Sequence, residues 1–314
     1  MVSYPEPPGL QRVKDSDLIS RVRKNYFLRN LRSSAKLYLS DNLTVAFLLG
    51  FLFFVFLAVF GQELAPYEPN RTFLEGGQIA KLKPPSAEHP LGTTAVGTDI
   101  LSRLMYGARP TLLTGFAGGT VVITLGLLVG VSAGYYGGTI DDILMRITDF
   151  VYSVPLIPVA LVFASYFGVG TWMIVFTVGF ILWRGNARIF RSQVLQIKER
   201  EHVRAAKVLG ASDWYILTRH VLPSIGGMIT LFYALGIGIT ILITASLAFL
   251  GFADVGTPTW GLMLRNAYDS GYMMDAWWWT FSSGGAITMT VLCIYMIGRG
   301  YERVRETTVS ASGD

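Results

Sequence analysis

The 314-residue sequence has little charge and one cysteine. Charged residues make up 15% of the chain and hydrophobic residues 52%, which is too apolar for an ordinary soluble domain. Because Cys293 is the only cysteine, an intrachain disulfide and a cysteine metal cluster are excluded. The three histidines lack the spacing of a metal site; they are His89, His202 and His220.

Motifs for nucleotide and acyl chemistry are also missing. A phosphate-binding loop needs GxxxxGK[ST], and the nearest spacing, Gly92 to Gly97, is followed by Thr98 without the lysine. The GxSxG spacing occurs at 130–134, as GVSAG, but it lies inside a long uncharged stretch and not at the strand-to-helix turn of a nucleophile elbow. We therefore expect a chain with no catalytic residues and no bound cofactor or metal, which does not bind ATP itself.

Long uncharged stretches are what the sequence does contain. A bilayer-crossing helix takes about 20 apolar residues, and uncharged stretches cover residues 43–61, 111–138, 150–183, 221–253 and 276–298. The third is too long for one span, and the sequence FGVGT at 167–171 is a natural break within it. The pattern predicts an all-α membrane protein with six spans, roughly 43–64, 111–137, 143–167, 171–191, 224–250 and 277–299.

The positive charges indicate how these spans are oriented. Lysine and arginine concentrate in three segments, 12–36, 184–219 and 299–305. With six spans, all three fall on one side of the membrane, which the positive-inside rule makes the cytoplasmic side. We therefore expect cytoplasmic N- and C-termini and a lipid partner, and no nucleic-acid binding despite the net charge of +5. About 42 polar and basic residues precede the first span, which favours a retained anchor over a cleaved signal peptide.

The predicted spans divide the chain into segments. These are a cytoplasmic arm 1–42, a first transmembrane helix 43–64, an external segment 65–110, a core of five spans 111–299 and a cytoplasmic tail 300–314. The core includes a cytoplasmic hairpin 198–223 and an external loop 251–276. The arm is interpreted equally well as an amphipathic helix on the inner leaflet over 18–39 or as a solvated tail. The external segment is expected to hold a short helix, DILSRLMYGAR, with Thr98 as its N-cap.

Two opposite charges fall within the predicted third span. Arg146 and Asp149 are three residues apart, so they would share a helix face and could form an ion pair. Ionisable residues in a span are functional suspects, but their place within two turns of the cytoplasmic end favours a structural pair. Pro155 in the same span predicts a bend, which suits a helix that moves or lines a path.

The polar segment EHVRAAKVLGASDWYILTRHVLPS, 201–224, separates two apolar stretches. It predicts two short helices around Gly210, with Ser212 capping the second helix, Asp213 at its positive end and Pro223 marking its stop. An apolar stripe follows at Trp214, Leu217 and Val221. The segment is either a connector resting on the bilayer or a hairpin that enters a groove on another protein.

The same segment resembles the EAA motif of ABC-importer permeases, EAA-x3-G-x9-I-x-LP. The alanine pair, the glycine and the Leu-Pro pair match in register, whereas Arg204 replaces the motif's glutamate and His220 its isoleucine. The resemblance implies a type I ABC-importer permease fold, in which this hairpin docks into a cytoplasmic ATPase. The coupling residues that it implies are Glu201, Arg204, Ala205, Ala206, Gly210, Ala211, Ser212, Asp213, Trp214, Leu222 and Pro223.

Three more segments resemble the C-type permease subunit of the dipeptide/oligopeptide/nickel transporter group. HPLGTTAVGTDILSRLMYGAR resembles HxLGTDxxGRDxLSRLxYGAR, with Thr94 in place of an aspartate and Thr98 in place of an arginine. AGYYGGTIDDILMRITDFVYSVP resembles the group's next signature, and SLAFLGFADVGTPTWGLML resembles SFLGLGxxPPxPxWGxML. They imply half of a heterodimeric pore for di- or oligopeptides, in the cytoplasmic membrane of a bacterium or archaeon.

The resemblance also implies partners. They are a B-type permease subunit, two ATP-binding subunits that use ATP and Mg, and an external substrate-binding protein. Asp254, Trp260 and Gly261 are expected to contact that protein or its ligand, with Trp260 as the anchor. Nickel or oligosaccharides are alternative cargoes. A stand-alone channel or secondary transporter, or an intramembrane enzyme, is a more distant interpretation, because mid-membrane ionisable residues and catalytic groups are lacking.

Overall fold

The computed structural model describes residues 41–310, with side chains through Tyr301. The arm helix expected over 18–39 lies outside the described residues. In chain order the helices are α1 (Asn42–Leu64), α2 (Ile100–Tyr136), α3 (Gly138–Ser153), α4 (Leu156–Phe167), α5 (Thr171–Lys198), α6 (Glu201–Val208), α7 (Asp213–Ile216), α8 (Leu222–Phe249), α9 (Trp260–Asp269) and α10 (Trp277–Ser310). A π-helical turn, Leu217–Val221, joins α7 to α8, and two short strands, β1 (Leu74–Glu75) and β2 (Gln78–Ile79), pair antiparallel.

Five unbroken helical stretches in the described chain are long and apolar enough to cross a membrane, and a bent pair makes a sixth candidate. The pair is α3 and α4, which meet at 84°. Pro155 causes the bend, because proline lacks an N–H and pushes Val154 before it into an extended conformation, φ −87° and ψ 117°. The expectation of about six spans is confirmed, and so is the bend at Pro155.

Helix α2 is longer than the sequence suggested. The short external helix and the second span are one continuous helix of 37 residues, about 55 Å long, so its first turns lie beyond a bilayer core of about 30 Å. Thr98 is not its N-cap, which corrects that expectation. The cap is Asp99, because its carboxylate accepts hydrogen bonds from the Ser102 amide at 2.8 Å and the Ser102 hydroxyl at 2.7 Å. Thr98 bonds Thr94 instead, at 2.7 Å between hydroxyl oxygens.

Glycines on α2 allow α5 and α8 to pack closely against it. A Cβ added at Gly118 would lie 2.5 Å from the Thr240 side chain of α8, and one at Gly126 would lie 2.7 Å from the Asn186 side chain of α5. A Cβ at Gly130 would meet the backbone carbonyl of Ala187. Such close approach is what small residues permit in membrane helix packing, and it places α2 at the centre of the bundle.

A small folded cap covers the N-terminal end of α2. His89 and Asp99 are buried together there, with His89 Nδ1 2.8 Å from Asp99 Oδ1. The rings of Tyr67 and Phe73 pack around the imidazole, with centroids 5.5 and 4.7 Å from its own. Since Asp99 also caps α2, this cluster ties the external segment to the central helix.

Candidate functional site

The polar segment 201–224 forms the predicted hairpin. Helices α6 and α7 are joined through Gly210, whose φ of +82° is a left-handed conformation that glycine adopts without strain. The Gly210 amide donates to Lys207 O and the Ala211 amide to Ala206 O, both at 3.1 Å. These two bonds close α6 in the way typical of a glycine-ended helix. The backbone conformation, and not crowding, requires the glycine, because no heavy atom lies within 4 Å of a Cβ built there.

The second helix of the hairpin is capped and tied to the membrane bundle. Ser212 Oγ accepts a hydrogen bond from the Tyr215 amide at 3.3 Å, as predicted. Asp213 is in the first turn, where a negative charge is favourable, and it accepts a 2.7 Å hydrogen bond from the Tyr135 hydroxyl. The bond from Tyr135, at the end of α2, has no signal in the local sequence because 78 residues separate the partners.

Pro223 does not stop the second helix, which corrects that expectation. The helical stretch runs unbroken from Asp213 to Phe249, because the π-helical turn allows the Leu222 amide to donate to Leu217 O. Pro223 then falls in the first turn of α8, where a residue without an N–H is tolerated. The hairpin is therefore continuous with a membrane span, so a displacement of one is carried into the other.

Apolar side chains hold the hairpin against the bundle. Val203, Ile216 and Val221 are almost fully buried and pack with the C-terminal halves of α2 and α5. The predicted stripe of Trp214, Leu217 and Val221 does not lie on one face, because Trp214 is 75% exposed whereas Val221 is buried. Residues 214 and 216 point about 200° apart on a helix, so burial of Ile216 turns Trp214 outward.

The far side of the hairpin exposes a cluster of large apolar side chains, which we call the apolar tip. Its members are Val208, Leu209, Trp214 and Tyr215. Val208 and Leu209 are each 87% exposed. An exposed apolar cluster on an otherwise polar segment indicates contact with another protein or with lipid. The first part of the tip was missed from the sequence, although two large apolar residues directly before a helix-ending glycine were a visible signal.

The residues expected to couple the hairpin are brought together, and most face outward. Glu201, Arg204, Ala205, Gly210, Ser212, Asp213, Trp214 and Pro223 are exposed, whereas Ala206, Ala211 and Leu222 are half-buried. Arg204 forms an ion pair with Glu199, which was not among the expected residues. The hydrogen bond and charge of Arg204 hold the pKa of the Glu199 carboxyl below its usual range.

The ion pair expected between Arg146 and Asp149 is not formed. Asp149 Oδ1 instead accepts a hydrogen bond from Arg188 Nη2 of α5 at 2.5 Å. The Arg188 guanidinium lies 4.0 Å from the centroid of the Tyr152 ring, which orients it towards Asp149. The partner therefore comes from a neighbouring helix, and Arg146 is exposed.

Two more arginines of α5 fasten the bent pair α3–α4. Arg191 binds Asp141 through two hydrogen bonds, at 2.5 Å from Nε and 2.6 Å from Nη2. Arg184 donates to the carbonyl oxygens of Val151 and Val154 at 2.5 and 3.2 Å. These carbonyls lie just before Pro155, where regular helical bonding ends, so Arg184 satisfies groups that the bend exposes.

The three residues expected to contact the substrate-binding protein or its ligand differ in solvent exposure. Trp260 is completely buried: its Nε1 donates to Leu104 O at 2.9 Å and its ring packs against Phe54. Gly261 is also buried, since a Cβ there would lie 2.6 Å from the Ala245 backbone. Burial of the aromatic ring fixes α9 to α2, and the expected role of Trp260 as a contact anchor stays a prediction.

Asp254 is exposed and organises its own loop. Its carboxylate accepts hydrogen bonds from the Gly256 amide at 3.0 Å and the Thr257 hydroxyl at 2.9 Å. Both bonds favour the ionised form and lower the pKa of the Asp254 carboxyl. Val255 beside it is 77% exposed, so this turn is a surface that another protein can reach.

An apolar cleft opens on the side of the bundle, between α2, α5, α8 and α10. Its volume is about 490 Å³, and its lining includes Val122, Gly238 and Ile239 together with the polar residues Asn186 and Tyr295. Gly236 and Gly238 of α8 also line it. The cleft lies beside α8, the helix that continues the hairpin into the membrane.

The fold is that of an ABC-transporter permease. It is similar to an inward-facing structure of the MetNI methionine ABC transporter, with a TM-score of 0.52 over 65% of this chain and 95% of that chain, at 17% sequence identity. Residues 126–300 match the family described as binding-protein-dependent transport system inner membrane component. The chain belongs to this family and is a multi-pass permease of the inner membrane.

Curated relatives are similar in sequence to this chain over most of their length. The dipeptide transport system permease protein DppC of Bacillus subtilis is 31% identical over 93% of this chain and 89% of its own. The glutathione transport system permease protein GsiD of Pectobacterium atrosepticum is 34% identical, over 84% and 86% respectively. The probable D,D-dipeptide transport system permease protein DdpC of Escherichia coli is 31% identical, over 82% and 85%.

Proposed function

We propose that this permease forms one half of an ATP-driven import pore for di- or oligopeptides and is moved by a cytoplasmic ATPase at its hairpin. The observation that carries the coupling role is the apolar tip, which is exposed on a hairpin continuous with α8. Relatives named for dipeptide, D,D-dipeptide and glutathione transport support a short peptide as cargo.

The hairpin transmits movement through two connections. The apolar tip fits an apolar groove on an ATPase, and two such subunits bind ATP and Mg. When ATP closes them, α6 and α7 move with the groove. Because α7 runs through the π-helical turn into α8, the displacement reaches the membrane directly. The Tyr135–Asp213 bond and the buried side chains of Val203 and Ile216 carry it to α2 and α5.

The apolar cleft between α2, α5, α8 and α10 is our candidate for the surface that lines the pore. A second permease of the B-type would cover it and complete the path. The cleft is apolar, with Asn186 and Tyr295 among its lining residues; such a surface offers a few hydrogen-bond partners to a peptide without binding it tightly enough to prevent release. Selection of the cargo then rests with the external substrate-binding protein, which docks on the loop around Asp254.

The orientation follows from this assignment. The hairpin and both termini face the cytoplasm, as the positive charges indicate, and the Asp254 turn and the cap around His89 face outward. Arg146, Asp149 and Pro155 have the structural and gating role in the bent pair α3–α4. The segment divisions predicted from the sequence are part of the same proposal.

Uptake of a labelled dipeptide into proteoliposomes tests the function. The complete transporter, with its ATPases inside and loaded binding protein outside, should transport only when ATP is present. This chain reconstituted alone should not transport, and nickel or an oligosaccharide should not compete. ATP-independent uptake by the chain alone would contradict the proposal and favour a channel or secondary transporter.

A further inference from the structure

A second cavity lies at the base of the hairpin, where α2 and α5 reach the side of the membrane assigned to the cytoplasm. Its volume is about 360 Å³. Its polar and aromatic lining comes from α2, from α6, and from the end of α5 with the residue after it: Tyr135, Tyr136, Lys198, Glu199, Arg204 and Lys207. This lining is polar and basic, unlike the apolar cleft.

The cavity carries excess positive charge. Of the described residues that line it, three are cations and one, Glu199, is an anion. Arg204 pairs with Glu199, and the charges of Lys198 and Lys207 also act on that carboxylate. Lys198 donates one of its three N–H groups to Gly134 O at 2.8 Å. Asp213 lies in the next helix of the hairpin, and the Tyr135 hydroxyl already occupies one of its carboxylate oxygens. Because the Glu199 carboxylate already pairs with Arg204, N–H donors of Lys198 and Lys207 remain available to bind an anion.

The excess charge depends on a residue that departs from the motif. Arg204 stands where the EAA motif has glutamate. With glutamate at that position the same lining would carry two cations and two anions, and its net charge would be zero. The arginine thus converts a neutral cavity into one that attracts an anion.

The tyrosines place the cavity at the depth of lipid headgroups. Tyr135 and Tyr136 end α2, and Tyr136 is half exposed. Tyrosine at a span end lies in the interface, with its ring towards the acyl chains and its hydroxyl towards water. Basic pockets between membrane helices on the cytoplasmic side are typical binding places for anionic headgroups. We propose that the cavity binds the phosphate of an anionic phospholipid of the inner leaflet, and that this lipid bridges α6 to the ends of α2 and α5.

Lipid binding in this cavity does not require that the hairpin couples to an ATPase. It is tested on the full-length chain extracted with its accompanying subunits from membranes containing phosphatidylglycerol and phosphatidylethanolamine. Retained lipid is quantified by mass spectrometry. The double variant Lys198→Gln, Lys207→Gln should retain about tenfold less phosphatidylglycerol, since each surface cation contributes appreciably to anionic lipid binding. Arg219→Gln removes an exposed cation of the same segment outside the cavity and should change retention little.

Two further variants test whether lipid retention depends on the charge of the cavity. Lys198→Arg, Lys207→Arg preserves charge and should retain the lipid, so it separates loss of binding from loss of folding. Arg204→Glu restores the motif residue and should release phosphatidylglycerol. Unchanged retention in Arg204→Glu and in the glutamine double variant would overturn the proposal.

The source of the phosphate is settled by competition. Inorganic phosphate and glycerophosphoglycerol, added at millimolar concentration, should not displace the lipid, because they lack acyl chains that remain in the membrane. Equal binding of inorganic phosphate would make the ligand a soluble anion and overturn the lipid assignment. Retention seen only after the accompanying subunits are stripped away would mean that a partner protein fills the cavity, and it would overturn the proposal as well.

Discussion

The hydroxyl of Tyr135 donates a 2.7 Å hydrogen bond to the carboxylate of Asp213. Tyr135 is at the end of the central helix α2, and Asp213 begins the second helix of the hairpin. The bond therefore joins the bundle to the segment proposed to receive movement from the ATPase. It is the polar counterpart of the buried contacts made by Val203 and Ile216.

Removing the Tyr135 hydroxyl is expected to loosen this junction. Tyr135→Phe and Asp213→Ala should each lower ATP-driven uptake several-fold while basal ATP hydrolysis changes little. A hydrogen bond to a charged group contributes about 1.5–3 kcal/mol, and less here because the pair is exposed. In a double-mutant cycle the two effects should not add. Fully additive losses would show that the residues act separately.

Gly210 is expected to be sensitive to any side chain. A Cβ in the left-handed region costs about 1–2 kcal/mol, so Gly210→Val should misplace the apolar tip and uncouple ATP hydrolysis from transport. The matched control is Gly285→Val in α10, where a Cβ also meets no heavy atom within 4 Å but no positive φ is required. Equal transport by the two variants would contradict the argument.

The arginines of α5 should differ in their tolerance of lysine. Arg191 uses two nitrogens on Asp141, and this pair is more buried than Arg188–Asp149. Lysine cannot reproduce a two-nitrogen fork. Arg191→Lys should therefore lower the melting temperature of the purified complex more than Arg188→Lys, for which the loss is about 0–1 kcal/mol. Arg146→Lys serves as the control and should leave the melting temperature unchanged.

Trp260 should govern folding rather than docking. Trp260→Ala removes a fully buried ring, and such truncations cost about 3–5 kcal/mol, so the yield of folded protein should fall. Affinity for the binding protein, measured per folded molecule, should stay the same. Asp254→Asn should show the opposite pattern, with normal yield and weaker docking. A docking defect confined to Trp260→Ala would favour its original assignment as a contact residue.

Local signals in the sequence predicted much of this architecture. Ser212 caps its helix, Gly210 forms the turn and Pro155 bends a span because each acts on its own backbone. Contacts between distant residues were not predictable in this way. Arg188 and not Arg146 pairs with Asp149, because the choice depends on how α5 packs against α3.

Predictions from the sequence were wrong where tertiary packing overrides the local conformational preference of a residue. Pro223 usually signals a helix end, but the π-helical turn before it removes the conflict and the helix continues. The burial of Trp260 was not predicted, because it depends on how α9 packs against α2. The apolar tip was only partly recognised, because exposure of Val208 and Leu209 depends on which side of α6 faces the bundle.

The central claim is that the apolar tip is the docking surface for the ATPase. Leu209→Asp places a charge in the tip, and Val255→Asp places one at another strongly exposed apolar position, in the turn beside Asp254. After gentle extraction, the amount of ATPase that copurifies with each variant is measured per molecule of inserted permease. We predict that Leu209→Asp loses most of the ATPase and that Val255→Asp keeps it. Full retention by Leu209→Asp would contradict the claim.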